Sequence, residues 1–310
     1  MSYKIGSFNC LNFNRSSSKD IGVFVDLILK ERFDIIALQE IHGQAALERI
    51  LNHLPRDNWN GIADDEPQVN DYAFIWNTNR FELASTEVTD NLRGTYNRVY
   101  SPRIYKQYKI DRKIGQTDLK REPFFARFVP CGAAPFIEIR LINTHIRFTK
   151  ENNSDLELPG AVAMRKNELD ILIKAIYAKE SDKRYGNNRP AYTILLGDFN
   201  LNLPSSVAAS PYLTESYEIF DGANAKIITT FQKELTTLSR PPQSDDSQQT
   251  EQYSFTSNYD HFAYDISRFS GLVIGCGRVN SVEDYCGGDC QKHREEVSDH
   301  VPIKMNIDLK

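Results

Sequence analysis

Little in this chain points to export or to a bilayer. No stretch of 18 apolar residues occurs in its 310 positions, which excludes a helical membrane span. Met1 to Asn9 lacks a charged segment followed by an apolar one, so the opening residues do not read as a secretory signal. A cytoplasmic location is the expectation, unless a signal was processed away. Cysteines are few and odd in number, five in all, and without an export signal they are expected as thiols rather than as a disulfide framework. Global positive charge is missing: 37 Lys and Arg stand against 42 Asp and Glu, a net −5, so any grip on a polyanion has to come from a local patch. Internal repeats and composition shifts are missing too. That leaves no candidate boundary, and residues 1–310 read as one domain.

What is present is organised around Ala191–Asn202. Tyr192 to Leu196 is a short apolar run of β-formers, which predicts a buried strand. It ends at Gly197, and Asp198 and Asn200 follow at alternate positions, on one side of an extended segment. A carboxylate beside a carboxamide suits a phosphate, or a water near a hard cation. The plainer reading is a strand-to-turn junction, where Gly, Asp and Asn are common.

Similar junctions recur along the chain. Tyr3 to Cys10 reads as an opening strand carrying Asn9, and Asp34 to Gln39 as a buried strand ending at Glu40. Between them Asp20 can cap a helix with Ile21, Phe24, Val25 and Ile28 on one face. A second helix carries Leu47, Ile50, Leu51 and Leu54, stopped by Pro55. Asp71 to Trp76, Phe124 to Val129 and Phe136 to Asn143 read as further strands, the last leading into Thr144-His145. Leu169, Leu172, Ile173 and Ile176 mark another helix face. Tyr259 to Phe262 lies in a strand with Asp260, and Ser298-Asp299-His300-Val301-Pro302 opens the final one. His261 alternates away from Asp260, and it, His42 and His53 read as packing or surface residues. Ser239 to Glu251 is polar and aperiodic and reads as a mobile loop. Early alternation of helices and strands, then mostly strands, fits two stacked sheets with helices outside.

A buried strand seldom ends on a charge, yet Asn9, Glu40, His145, Asp198, Asn200, Asp260, Asp299 and His300 all sit at such ends. Carboxylate and amide oxygens suit Mg²⁺ or Mn²⁺ with waters completing the sphere. An imidazole backed by a carboxylate suits proton transfer at neutral pH. The ordered set Phe8-Asn9, Leu38-Gln39-Glu40, Asn143-Thr144-His145, Gly197-Asp198-Phe199-Asn200, Tyr259-Asp260 and Ser298-Asp299-His300-Val301-Pro302 resembles the endonuclease/exonuclease/phosphatase superfamily across nearly the whole chain. The resemblance implies a four-layer α/β/β/α sandwich of two stacked, mostly antiparallel sheets flanked by helices. It implies a divalent metal held by Glu40 with Asn9 and Asp299. It implies that Asp198 and Asn200 orient the attacking water and a phosphate oxygen, that His300 braced by Asp260 acts as base or transition-state contact, and that His145 binds or protonates a phosphate oxygen. Whether His300 or Asp198 takes the water's proton is left open.

Arg121-Glu122-Pro123 before a Phe-rich strand is similar to the pancreatic-type deoxyribonuclease branch, in which that arginine reaches DNA. Residues 92–121 supply nine Lys and Arg against two Asp, a local balance of +7, with Tyr96, Tyr100, Tyr105 and Tyr108 interleaved. Such a segment can hold phosphates and stack on bases, although charge runs are often only a solvated surface. Lys120 and Arg121 are therefore the candidate substrate contacts, and DNA is favoured over RNA. Two departures stand out. The branch carries a glutamate paired with its first active-site histidine where this chain has Asn70 and Asp71, and the branch is typically secreted. The competing function is a phosphatase or phosphodiesterase acting on a phosphoinositide or another small phosphate ester, and a binding module without catalysis ranks below both. Finally, Cys276, Cys286, Cys290 and His293 offer a candidate structural Zn²⁺ set, though their spacings are irregular for zinc and a Gly-rich loop with incidental thiols is the plainer reading.

Overall fold

The computed structural model describes residues 1–14, 18–64, 72–84, 93–95, 119, 121–132, 136–148, 161–185, 189–203, 227–229, 234–239, 253–265 and 267–309. Its elements are laid out by strands whose successive side chains face opposite layers. In β1 (Ser2–Phe13), Ile5 points to one layer and Phe8 to the other; in β2 (Ile35–Ile41), Ile35 and Ala37 face the layer that Ile36 and Leu38 do not. Strands buried on both faces read as continuous apolar runs rather than alternating ones. This is why the segments ending in Glu40 and Asp198 are so uniformly apolar.

One sheet has the order β14-β15-β1-β2-β4-β3 and is built from β14 (Val273–Arg278), β15 (Ile303–Asp308), β1, β2, β4 (Tyr72–Asn77) and β3 (Trp59–Ala63). The other has the order β10-β13-β9-β8-β7-β5, from β10 (Ile227–Thr229), β13 (Asp260–Asp265), β9 (Ala191–Asp198), β8 (Glu138–His145), β7 (Phe124–Pro130) and β5 (Phe81–Leu83). β6 (Arg93–Thr95) also pairs with β7. Pairing is antiparallel except for β1 with β2 and β8 with β9. The sheets stack through Ile5, Phe74, Phe128, Leu141, Ile194, Phe262 and Met305. α1 (Ile21–Glu31) and α2 (Gln44–Leu51) cover the outside of the first sheet, with Phe24, Ile28, Leu47 and Ile50 against Phe8, Ile36 and Ile75. α3 (Ala161–Ile171), continued by a π-helical turn (Leu172–Tyr177) and α4 (Ala178–Asp182), covers the second sheet, with Leu169, Ile173 and Ile176 against Ile142, Leu195 and Ala263. The result is the expected α/β/β/α sandwich. No helix among the described residues is long and apolar enough to cross a membrane.

Boundaries differ from the sequence reading where local chemistry wins. Asp20 does cap α1, accepting from the Gly22 N–H at 2.8 Å. β8 starts at Glu138 and continues to His145, leaving Phe136 outside and 75% exposed. The last strand begins at Ile303 rather than Ser298: Pro302 has no N–H to donate, and residues 298–302 form a turn instead. The Gly-rich stretch before Asp299 contains two short helices, α5 (Ser281–Cys286) and α6 (Cys290–Glu296). Gly287 ends α5 in a left-handed conformation, and the Asp289 side chain caps α6 by accepting from the Lys292 N–H. The small sheet of β11 (Thr237–Ser239) and β12 (Ser254–Ser257) lies beside this turn, with Thr237 bridged to His300. Most of the basic 92–121 segment, Asn70, Asp71, Lys120 and all but Ser239 of the proposed mobile loop lie outside the described residues.

Candidate active site

The first sheet delivers Asn9 and Glu40. After Asn9 the β1 chain turns through Leu11 and Asn12 at φ 47° and 54°, and β2 reaches Glu40 at φ 57°. A non-glycine residue in the left-handed region carries a local cost, and such strain clusters at functional sites. Here it turns the Asn12 N–H onto Glu40 Oε2 at 2.8 Å. Asn9 Oδ1 accepts from the Leu11 N–H at 3.0 Å, and its Nδ2 faces Glu40 Oε1 at 3.4 Å and Asp198 Oδ2 at 3.0 Å.

The second sheet delivers His145, Asp198 and Asp260 from three neighbouring strands in register, His145 opposite Asp198 and Asp260 opposite Asp198. Parallel packing of β8 and β9 is close at this point. A Cβ on Gly197 would fall 1.9 Å from the Thr144 carbonyl oxygen, so no side chain fits beside the motif. Asn200 lies past the strand end at φ 49°, and its backbone and side-chain N–H groups fold back onto Asp198 at 2.8 and 3.1 Å. The final turn brings in His300, whose Nδ1 is 2.8 Å from Asp260 Oδ2.

The two histidines flank one oxygen. Asp198 Oδ2 lies 3.4 Å from His145 Nε2 and 3.7 Å from His300 Nε2, while His145 Nε2 is 3.8 Å from Glu40 Oε1. All of these side chains except Glu40 are buried. Their environments separate them. Burial, with the nearby Arg121 and His300 charges, holds His145 well below the ordinary imidazole pKa. Burial acts the same way on His300, but the Asp260 and Asp198 carboxylates outweigh it and hold His300 well above that value. Burial raises the Asp198 carboxyl above the usual carboxylate range, against the lowering effect of His300. The surroundings thus push the two imidazoles in opposite directions and the Asp198 carboxyl upward, a pattern that can separate acid from base roles.

The Asp299 carboxylate is held by Arg294 at 3.1 Å and its charge bears on His300. Arg121 is close enough to His145 and Tyr72 to shift both, and its Nη1 is buried without a hydrogen-bond partner. The zinc reading fails. His293 is fully buried with both ring nitrogens taken, by Ser281 Oγ at 2.9 Å and the Ser298 carbonyl at 2.8 Å, and Cys276, Cys286 and Cys290 do not gather around it. Among the described residues, the group whose ligand atoms lie within 4.8 Å of one another is Asp198, Asp260 and His300. His261 faces away from the site, as its strand position predicts, and its Nε2 meets the carbonyls of Leu201 and Asn258. His42 and His53 are exposed.

Three supporting residues escaped the sequence reading. Tyr72 Oη accepts from the His145 N–H at 2.8 Å. Gln39, on the first sheet, donates to Asn143 Oδ1 on the second at 2.7 Å, and Asn143 donates to the Leu38 carbonyl at 2.9 Å. These buried bonds key the two sheets together directly behind the site. Gln39 and Asn143 lay inside the quoted motifs, but a pairing across 104 positions leaves no local signal.

The profile of the Endonuclease/Exonuclease/phosphatase family matches residues 6–258, the span that carries all these strand ends up to β12. The chain belongs to that family. No curated protein matches it in sequence. Solved structures with the same fold include an AP endonuclease from Leishmania major, 12% identical with a TM-score of 0.60, covering 100% of this chain and 88% of its own. D. rerio TDP2 in complex with a single-strand DNA product is 11% identical with a TM-score of 0.56 and 99% coverage of both chains. A mannosyl-6-phosphatase from Bacteroides thetaiotaomicron is 16% identical with a TM-score of 0.55, covering 99% of this chain and 100% of its own. As a member of the endonuclease/exonuclease/phosphatase family the chain carries a phosphoesterase fold, and enzymes of the family depend on a divalent metal.

Of the candidate donors, Glu40 fits such an ion best: it keeps a partly exposed carboxylate, only one oxygen of which is engaged by a backbone N–H, whereas Asn9 Oδ1 already accepts from the Leu11 N–H and the Asp299 carboxylate from Arg294. Hard oxygen donors with room for water suit Mg²⁺ or Mn²⁺. The Asp198, Asp260 and His300 group suits it less, because His300 Nδ1 is already committed to Asp260.

Proposed function

We propose that the chain is a divalent-metal-dependent phosphodiester hydrolase acting on DNA, with water as the nucleophile. The observation that carries this reading is the placement of Asp198 Oδ2 between the two histidines, 3.4 Å from His145 Nε2 and 3.7 Å from His300 Nε2. Asp198, with its carboxyl raised toward neutrality, receives the water's proton, and Asn200 helps orient that water. His300 enters the step already charged, so it donates from Nε2 to a phosphoryl oxygen rather than acting as the base. His145 offers a second contact to the same phosphoryl group. Glu40, Asn9 and Asp299 would hold Mg²⁺ or Mn²⁺, which neutralises developing phosphate charge and assists the leaving oxygen. Donors aimed at charge that develops in the transition state are the largest catalytic term in such sites.

DNA is favoured by Arg121, whose buried, unpartnered Nη1 beside His145 is poised for a phosphate oxygen, and by the basic, tyrosine-rich run that precedes it. The reported neighbours, two of them named for nucleic-acid chemistry and one as a sugar phosphatase, are compatible with either substrate class. The deciding assay uses chelator-stripped protein with Mg²⁺ or Mn²⁺ added back. Supercoiled plasmid, labelled single- and double-stranded DNA, RNA, a phosphoinositide and a small aryl phosphate are supplied in parallel. Plasmid nicking that EDTA abolishes and Mg²⁺ restores is the expected result. Turnover of the phosphoinositide or aryl ester with intact polynucleotides would replace DNA by the small-ester reading.

Arg121→Gln should raise KM for polynucleotide roughly 10-fold, the scale of one charged hydrogen bond to phosphate, and reduce the salt slope of binding by about one. KM titrations at several salt concentrations check this, and an unchanged KM and slope would remove Arg121 from the substrate contacts.

A further inference from the structure

Asp299 and His300 lie on no regular element. They occupy the turn between α6 and β15, and a general acid must be held to a fraction of an ångström to be effective. The turn is anchored from α6. His293 is fully buried, and its Nδ1 lies 2.8 Å from the Ser298 carbonyl oxygen, so Nδ1 carries the hydrogen. Nε2 is then the acceptor and receives the Ser281 hydroxyl at 2.9 Å, from the first turn of α5. Burial pushes the His293 pKa down to about 4, which keeps this tautomer neutral at pH 7. The backbone repeats the grip: the N–H groups of Val297 and Ser298 both donate to the His293 carbonyl at 2.8 and 2.9 Å.

Ser298 passes the constraint on. Its hydroxyl donates to the Asn9 carbonyl at 2.7 Å and accepts from the His300 N–H at 3.1 Å. The same serine therefore joins the strand that carries Asn9 to the turn that carries His300. Lys19 adds a parallel tie, donating to the Cys10 and Val297 carbonyls at 2.6 and 2.8 Å. The geometry points to His293 as a positioning residue, whose ring, seated on Ser281, sets the Ser298 turn and through it the placement of His300 against Asp260 and Asp198. The inference rests on the hydrolytic reading of the site.

A double-mutant cycle tests it. His293→Leu should lower kcat by ~10–100-fold with KM within about two-fold, the scale of a small misplacement of a reacting group. His293→Asn places its amide nitrogen where Nδ1 was and should recover most of that loss. In a His300→Ala background, measured under single-turnover conditions, His293→Leu should cost no further rate, because it acts through the residue already removed. If His293→Leu does not fold, Ser281→Ala removes only the outer bond. It should lower kcat a few-fold on its own and not at all in the His300→Ala background. Losses that multiply in that background, an Asn variant as impaired as the Leu one, or wild-type kcat in Ser281→Ala would overturn the positioning role while leaving wild-type hydrolysis intact. A wild-type protein with no turnover on any phosphoester would instead sink the hydrolytic reading itself.

Discussion

His300→Ala and His300→Gln are both expected to lower kcat by at least ~100-fold, the usual scale for losing a positioned proton donor or acceptor. The Gln variant keeps a donor near the Nε2 position but cannot carry charge. The charge on the ring is what the substitutions remove. Nδ1 is committed to Asp260 at 2.8 Å, Nε2 looks toward Asp198 at 3.7 Å, and these carboxylates outweigh the desolvation that would otherwise keep the ring neutral. The rate should therefore depend on pH from both sides. Asp198 must lose its proton to serve as base, so the rate rises with pH across an apparent pKa above the usual carboxylate range. His300 must keep its proton to serve as donor, so the rate falls again as pH passes an apparent pKa above the usual imidazole range. The two titrations belong to the pair rather than to either residue alone. A kcat–pH series on wild type and on His300→Gln, with circular dichroism to confirm folding, reads this out. The alkaline limb should vanish in the variant. Wild-type turnover in either substitution would take His300 out of the mechanism.

The layers were legible because strands covered on both faces must be apolar throughout, and Ile35 to Leu38 and Ile194 to Leu196 are. The proximity of Asp198 and Asn200 was legible for a reason that proved incomplete. Alternation in an extended segment would place them side by side, but the strand stops at Asp198 and Asn200 adopts a left-handed backbone that folds its amide onto the carboxylate. Asparagine tolerates that conformation better than most residues, so the same letters supported the right adjacency through a different geometry. Glu40 is similar: its side chain was legible as a strand terminus, its positive φ was not. α5 and α6 were hidden by length. Helices of six and seven residues leave too few turns for a periodic signal, although Asp289 and Gly287 were their ordinary punctuation. His293 misled for a related reason. Beside three cysteines it reads as a ligand, and only tertiary structure shows both its nitrogens already bonded to Ser281 and Ser298.

The other large effect lies at the far end of β8 and concerns stability alone. Arg127 of β7 and Arg140 of β8 are direct cross-strand partners, both buried, an arrangement that repels unless an anion is supplied. Glu138, two residues before Arg140 and on the same face, supplies it: Oε2 meets Arg127 Nη2 and Oε1 meets Arg140 Nε, each at 2.5 Å. The Tyr185 ring lies 3.7 Å from the Arg127 guanidinium and 4.9 Å from that of Arg140, so no water-filled space separates the charges from the ring. Glu138→Gln leaves two buried guanidinium groups without their carboxylate and should destabilise the fold by about 3–5 kcal/mol, the range for breaking one side of a buried pair. Replacing all three together, Arg127→Met, Glu138→Leu and Arg140→Met, removes the charges as well as the pairing and should cost far less than the single substitution. Burial would raise the Glu138 pKa, but the two arginines prevail and lower it. A depressed carboxyl contributes stability that is present above its unfolded pKa and lost as pH falls through the folded one. The penalty of Glu138→Gln should accordingly be full at pH 7 and shrink in strong acid. Urea unfolding of the three proteins at pH 7 and near pH 3 measures each term. His145 lies seven residues along β8, on the order of 23 Å away, so kcat at a permissive temperature should stay near wild type in Glu138→Gln. A cost below about 1 kcal/mol at pH 7 would mean that the arginines find other partners once the carboxylate is gone, and the buried triad would lose its place as the anchor of this end of the sheet.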